Sequence, residues 1–567
     1  MARTYPIVSF GLFALAIKQD STFECDDLQT FSKLRDLKSG NATSKPYITF
    51  EPDFWLLDGG YKFLPERDVS IHVGLMSLNM SDEIGEFTVP PVLTITFGQE
   101  YLLDGGIAIK FSQYSNDYCT HFKVEYYDDT NTLLYTNDYY PENWEFSTEE
   151  TIDEVKKVVI TFYSTNKPFR YLRVSAINFG ELITFTNADI KSASVVEEIN
   201  PISIELPINT LELELFSTNA DFSIINPSGV YLDLQNKQPI DIYEVVDNET
   251  IYIGMFYLDK WENPSENEIK FSCMSGLGIL EGSTYMGGIW LTPITVEDLI
   301  LEIFEEIQMP YELDPDLVDI KITGWISICT YREALQQIAF AIGANVNDAR
   351  SNTIQILKTT LASDQTFEEY SITNAEKGIS QSLELKPLVT GVDVTAHNYV
   401  ANTTTQELYK ETLQAGSYLI KFSSPQHDLN TTGATIIESG ANYAIITVAS
   451  PETVTLTGQG YTDTTRIVSI RNTELDQFVK PNILDIEDAT LINNTNVDSI
   501  TQYVYDYYQQ RYYQKVKLFA HSLEVGRSVV VDTLYNQQIS GVTEKMSVDL
   551  GRGFISNAEI LGVIKTS

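Results

Sequence analysis

The sequence predicts a mainly β, multidomain protein, and three observations carry that prediction. At 567 residues the chain exceeds the size at which one hydrophobic core keeps growing. Most of it alternates runs rich in Val, Ile, Thr, Phe and Tyr with clusters of turn-forming residues. Helical periodicity is confined to a short central stretch and one segment near the C-terminus.

Residues 1–185 read as a β-sandwich. VLTITF (92–97), IAIKFS (107–112), FKVEYYDD (122–129) and VKKVVITFYS (155–164) are its strand runs, and Asp58-Gly59-Gly60, Pro90-Pro91 and Asp104-Gly105-Gly106 mark turns. The apolar run Phe10 to Ile17 imitates a signal-peptide core, but it is short, has one preceding Arg and lacks a small-x-small cleavage context, so a strand is expected. Residues 186–290 continue as a second barrel or sandwich. In LELELF, Leu211, Leu213 and Leu215 share one face and Glu212 and Glu214 the other, as a half-buried strand requires.

A small α/β unit is expected over 291–360. Thr295 with Asp298 opens a helix through TVEDLILEIFEEI, and Thr330 with Glu333 opens a second through TYREALQQIAFAIG, which Gly343 stops. NTIQILK (352–358) follows as a strand after the turn-like NDARS. Residues 361–500 return to strands, among them LVTGVDVTAH, SYLIKFSS, NYAIITVA and TRIVSIRN. In 501–567 a helical stripe of Tyr503, Tyr507 and Arg511 belongs to SITQYVYDYYQQRYYQKVKLFAH (499–521), and antiparallel strands close the chain.

The balance of 79 Asp and Glu against 37 Lys and Arg gives a formal charge of -42, which repels phosphate backbones and anionic headgroups and argues against direct nucleic-acid recognition. Cys25, Cys119, Cys273 and Cys329 are too dispersed for a disulfide framework or a zinc site, so folding in a reducing cytoplasm is expected. No stretch approaches the ~18 apolar residues of a membrane span, and no membrane anchor is expected.

Two sets of segments resemble known families. FEPDFWLLDGGYKFLPE (50–66), MSDEIGEFTVPPVLTITF (80–97), FKVEYYDDTNTLL (122–134) and TNKPFRYLRVSAINFGE (165–181) together resemble a discoidin-like jelly-roll module found in tail proteins of phages from Gram-positive bacteria. CTYREALQQIAFAIGANVNDARSNTIQILK (329–358), with VGRSVVVD (525–532) and ISGVTEKMSVDLGRGFISNAEI (539–560), is similar to the tail-hub or baseplate-hub family of phages, phage-tail-like bacteriocins and contractile injection systems. The resemblance implies a jelly roll at 1–185, two hub-type β-barrels at 186–290 and 361–500 flanking the α/β unit, and the hub's C-terminal helix and closing strands at 501–567. It further implies a homotrimeric ring that joins the tail tube or distal tail proteins to a central spike or tip, in a virion tail made in the host bacterial cytoplasm. A hub usually begins with its barrel, so the first 185 residues are an addition, either carbohydrate-binding or a structural decoration.

Catalytic chemistry finds little support. His72, His121, His397, His427 and His521 are scattered without ligand spacing, no G-x-S-x-G elbow occurs, and Gly276-Leu277-Gly278 with Gly282 lacks the βαβ context of a dinucleotide loop. No catalytic, metal or cofactor residues are assigned, and a cell-wall hydrolase is the least supported alternative. The candidate carbohydrate-binding residues are Trp55, Tyr61 and Trp144, aromatic side chains near turn-rich segments of the first module whose flat faces suit sugar stacking. Core packing is their other reading. A receptor that recognises host cell-wall glycan through that module is the principal alternative to the hub.

Overall fold

The computed structural model describes residues 4–30, 32–39, 49, 51–52, 74–111, 116–216, 237–247, 249–265, 267–307, 309–359, 361, 370–378, 381–473, 480–520, 523–533, 537–551 and 553–565. The mainly β, multidomain architecture expected from the sequence is the one observed.

One sheet of sixteen strands organises the molecule. Its path runs from Gln381–Leu385 through Tyr512–Phe519, Ile555–Ile564, Gln538–Leu550, Ile190–Glu198, Thr210–Phe216, Glu268–Met274, Glu249–Ser265 and Pro239–Val246 to Thr4–Phe13. It continues through Tyr171–Phe185 and Ile107–Phe111 to Glu145–Ser147. Strands from 190 to 274 and from 512 to 564 therefore form one ladder, and their apolar faces pack around one core that includes Leu211, Leu213, Leu215, Phe271, Val529, Val548 and Ile560. The alternation in LELELF is observed as expected: the three leucines are buried while the glutamates between them face outward.

This arrangement corrects the expectation of closed barrels. No sheet among the described residues closes on itself. Strands of 186–290 find their partners near both chain ends, and residues 391–486 form three separate three-stranded sheets. The physical reason is that the pairing partners are remote: Ile190–Glu198 pairs with Gln538–Leu550 on one side and Thr210–Phe216 on the other.

The first module is a two-layer sandwich. Its outer sheet has the order Ser21–Glu24, Val92–Leu103, Ile152–Thr165, Cys119–Tyr127, Leu133–Tyr139, and it packs on Leu75–Met80, Tyr171–Phe185, Ile107–Phe111 and Glu145–Ser147 across a core of Phe97, Phe111, Phe122, Phe162 and Phe179. The N-terminal apolar run is a strand only as far as Phe13; Leu15–Asp20 is a short helix.

The α/β unit follows its sequence signals closely. Helix Tyr331–Ile342 begins with a complete capping box, Thr330 accepting from the Glu333 N–H and Glu333 accepting from the Thr330 N–H, and ends at Gly343 with φ 66°. Asp298 N–H donates to Thr295 Oγ1 at 3.2 Å at the head of helix Val296–Ile307. Gly276–Glu281, the glycine-containing stretch that lacks a dinucleotide-loop context, is a short helix with Gly276, Leu277, Gly278 and Leu280 buried.

A second correction concerns the C-terminal helix, which spans Val497–Gln509 and does not reach 521. Gln510 turns extended, and Tyr512–Phe519 is a strand with Gln514, Val516 and Leu518 inward. Period-two burial in that segment outweighs the tyrosine stripe, and Arg511 Nε donates to Lys386 O at 2.8 Å instead of continuing a helix.

Candidate interaction surfaces

The candidate carbohydrate-binding residues separate in the structure. Trp55 and Tyr61 lie outside the described residues. Trp144 is half-buried, and its ring meets Tyr243 edge-on at 5.4 Å, so it stands at the junction between the first module and the sheet that follows.

That junction is built around the N-terminal strand. Thr4–Phe13 pairs antiparallel with Tyr171–Phe185 on one side and with Pro239–Val246 on the other, so Phe10 sits opposite both Ile183 and Ile240. The close approach requires glycine at Gly180, whose φ is 126° and where a Cβ would lie 2.1 Å from Leu12 O. Gln238 then brackets Phe13, accepting from its N–H at 3.1 Å and donating to its carbonyl at 3.4 Å.

Polar side chains seal the same seam. Lys110 lies between Asp241, with which it makes a very short contact, and Glu145 at 3.1 Å. Ser9 Oγ donates to Glu145 Oε2 at 2.7 Å, and Tyr252 OH donates to Asp241 Oδ1 at 2.8 Å. Burial by itself would lower the Lys110 pKa, but Asp241 and Glu145 outweigh it and hold the ammonium well above the ordinary lysine range. Three segments, 4–13, 107–147 and 239–252, are thus tied by charge as well as by the ladder.

A second seam joins the α/β unit to the large sheet. The segment Asn347 to Ser351, expected as a plain turn, is a plug: Ala349 enters the main core and Arg350, at φ 54°, reaches Glu197 with two nitrogens. Asp348, fully buried, accepts from Asn209 Nδ2 at 2.7 Å and Leu277 N–H at 2.9 Å. Burial raises the Asp348 pKa against the lowering effect of those bonds. The Arg350 guanidinium lies 5.5 Å from the Phe554 ring centre. Nearby, Glu244 is fully buried, accepts from Gly551 N–H at 3.3 Å, and is pushed up to about 7 by burial.

On the outside of the first module, two exposed aromatic features escaped the sequence reading. Tyr163 and His121 on neighbouring strands and Tyr140, just past the end of Leu133–Tyr139, form a row of rings with His121 in the middle, its centre 4.7 Å from that of Tyr140 and 4.6 Å from that of Tyr163, and Tyr140 is 66% exposed. Phe169 is 44% exposed at φ 54°, an uncommon conformation for a bulky side chain, and its N–H donates to Asp82 O at 3.1 Å. The signal available in the sequence was the spacing of Tyr140 and His121 near strand ends, which resembles ordinary strand composition.

His397 is buried between Asp463 Oδ2 at 2.6 Å and Glu487 O at 2.9 Å. Burial pushes the Cys119 and Cys329 thiols up to about 12. Among the described residues no group of three His, Cys, Asp or Glu side chains is placed to hold a metal ion.

No family model matches the chain, and no curated protein matches it. Among solved structures, the chain is similar to a tail protein from Neisseria meningitidis, with 10% identity, coverage of 67% of this chain and 93% of that one, and a TM-score of 0.42. It is similar to a prophage tail protein from Listeria monocytogenes, with 8% identity, coverage of 68% and 92%, and a TM-score of 0.39. The third is a family 32 carbohydrate-binding module from C. perfringens in complex with galactose, with 11% identity, coverage of 30% and 98%, and a TM-score of 0.20. The functional reading is accordingly built on the chain's own residues.

Two outcomes are expected from these seams. Lys110→Met leaves Asp241 and Glu145 buried without their cation and destabilises the protein by about 3–5 kcal/mol, read as a fall in the midpoint of urea unfolding; adding Asp241→Asn and Glu145→Gln recovers part of the loss. Glu244 has a folded-state pKa above its ordinary value of 4.5, so the folded state binds the extra proton and stability falls as pH rises from about 4.5 through about 7. Glu244→Gln flattens that fall, which thermal unfolding between pH 5 and pH 8 measures.

Proposed function

We propose that the chain is the structural hub of a phage-type tail tip or baseplate, assembling as a homotrimeric ring between the tail tube or distal tail proteins and a central spike or tip. The observation that carries this reading is the meeting of the two segments on which the hub resemblance rests. Residues 329–358 and 525–560 are far apart in sequence, yet Arg350 stands over Phe554, Ala349 shares a core with Val529 and Val548, and a Cβ on Gly526 would lie 3.6 Å from Asn347 Nδ2. The two remote segments meet at Ala349 and Arg350.

The construction suits a mechanical role. Load on the first module passes through the N-terminal strand and its two neighbours directly along the ladder of the sixteen-stranded sheet. Its place is the virion tail. Light scattering of the purified full-length chain tests the reading: a mass three times that of the monomer is expected at micromolar concentration, and a monomer that persists at higher concentration overturns the ring.

A second reading, host cell-wall glycan recognition by the first module, is favoured by the exposed Tyr140 ring and the outward Phe169. Apolar ring faces stack on sugars, and Tyr140, stacked on His121, remains 66% exposed and Phe169 44%, whereas Trp144 packs on Tyr243. The test uses the full chain, because the first module shares its N-terminal strand with the large sheet. Retention on purified cell walls that Tyr140→Ala and Phe169→Ala together reduce at least about tenfold, roughly 1.4 kcal/mol, is the expected result; equal retention of variant and wild type removes these rings from the reading.

A further inference from the structure

The path of the sixteen-stranded sheet has two open ends, and the parity of the ladder shows what each presents. At one end Gln381–Leu385 pairs with Tyr512–Phe519 and with no other strand among the described residues. Lys386 N–H donates to Arg511 O at 2.8 Å, which sets Ser382 and Glu384 in the bonded pairs and turns the N–H and C=O of Leu383 and Leu385 away from the sheet. At the other end Phe111 N–H donates to Trp144 O at 2.7 Å and Thr148 N–H to Ile107 O at 3.0 Å, so the backbones of Glu145 and Ser147 turn outward in the same way. Unpaired edges of this kind are templates for a further strand.

The first end is also unfinished as a core. Leu383 stands opposite Gln514, and Gln514 opposite Ile560, so their side chains share one face of the sheet. Ile560 belongs to the main core and Gln514 is only 4% exposed, yet Leu383 and Leu385 are each 54% exposed. The buried face therefore continues to the last strand and loses its cover there. Gln514 Oε1 is buried beside that strand without a hydrogen-bond partner, a deficit that a donor from a docked neighbour removes.

Charge identifies the neighbour. In a chain of formal charge -42, segments 381–386 and 511–519 at this end carry Lys386, Arg511, Lys515 and Lys517 against Glu384, with Glu559 of the next strand pairing Lys515. The opposite end reverses the balance, since residues 138–154 hold seven Asp and Glu and no Lys or Arg. Lys110 takes up Glu145, whereas Glu142 and Glu149 are exposed and make no ion pair among the described residues. Each end is complementary to the other and not to itself. The contact this favours is head to tail between copies, which is the kind that closes a ring.

We propose that copies of this chain join through the two open ends of the large sheet, the Gln381–Leu385 edge of one copy against the Glu145–Ser147 end of the next. The inference rests on the ring reading and names the contact that closes it. Pairing the two edges covers Leu383 and Leu385, satisfies outward backbone groups on both strands, and sets Glu142 and Glu149 against the cations of the neighbouring copy.

The test measures the full-length chain by light scattering over a dilution series, with far-UV circular dichroism to verify folding. Three variants are compared with wild type: Leu383→Asp with Leu385→Asp at one end, Glu142→Lys with Glu149→Lys at the other, and all four substitutions together. Each pair alone is expected to raise the concentration needed for assembly at least about tenfold. The fourfold variant is expected to return to within about threefold of wild type, because its new aspartates meet its new lysines across the contact. Assembly of either pair at the wild-type concentration overturns this contact and leaves the ring standing, and so does a fourfold variant no better than the weaker pair. A wild type that is monomeric throughout overturns the ring and this contact together. If the leucine pair loses its fold, Lys517→Glu takes its place under the same criteria.

Discussion

The Thr4–Phe13 strand is hydrogen-bonded on both sides, and most of the molecule's organisation depends on that. Its partners, Tyr171–Phe185 and Pro239–Val246, belong to the return of the first module and to the sheet beyond it. Without this strand the two would be joined by one covalent connection and the Lys110 seam. With it, Phe10 packs in the main core and stacks on Phe271 at 5.4 Å, while Ser9 faces the seam to Glu145. Alternation along a single strand thereby serves two purposes, apolar residues toward the core and a hydroxyl toward the polar junction.

The topology is nested. Residues 14–170 are inserted between the N-terminal strand and its antiparallel partner, and residues 275–511 are inserted between Glu268–Met274 and Tyr512–Phe519 of the same sheet. Each insertion is pinned by buried polar groups at its base. Lys110, Asp241 and Glu145 secure the first; Arg350 with Glu197, and Asp348 with Asn209 and Leu277 N–H, secure the second. Buried charges are costly unless fully paired, and their partners here come from different segments, so they favour one docking arrangement over others.

Local features were legible in the sequence and remote ones were not. The capping box at Thr330 and Glu333, the stop at Gly343 and the alternation of Leu211, Leu213 and Leu215 are set by neighbours within a few positions, and the structure reproduces them. The bracket of Gln238 around Phe13 joins residues 225 positions apart and leaves no local trace. Lys110 reads as an ordinary outward residue of IAIKFS, because alternation cannot say whether the outward face meets water or another domain. The NDARS segment shows a different limit: Asn, Asp and Ser suit an exposed turn and a buried polar plug equally well, and Ala349 in the main core distinguishes them only in three dimensions. The aromatic row of Tyr140, His121 and Tyr163 was missed because His121 and Tyr163 come from two strands and Tyr140 follows a third.

Mechanical coupling follows from the same pairing. A module on a linker can reorient without breaking contacts, whereas a module sharing a central strand must lose ladder hydrogen bonds on both flanks before it moves. The polar seam adds to this, since separating Lys110 from Asp241 and Glu145 exposes charges whose pairing was formed in a buried site. In the proposed tail tip, contact of the first module with a surface is therefore transmitted to the sixteen-stranded sheet as displacement of a single body. The two three-stranded sheets between Tyr399 and Asp463, tied to the rest by Asn442 and the His397 to Asp463 pair, pack around a separate small core. The first module and the large sheet are thereby held as one body, whereas these two sheets keep a core of their own.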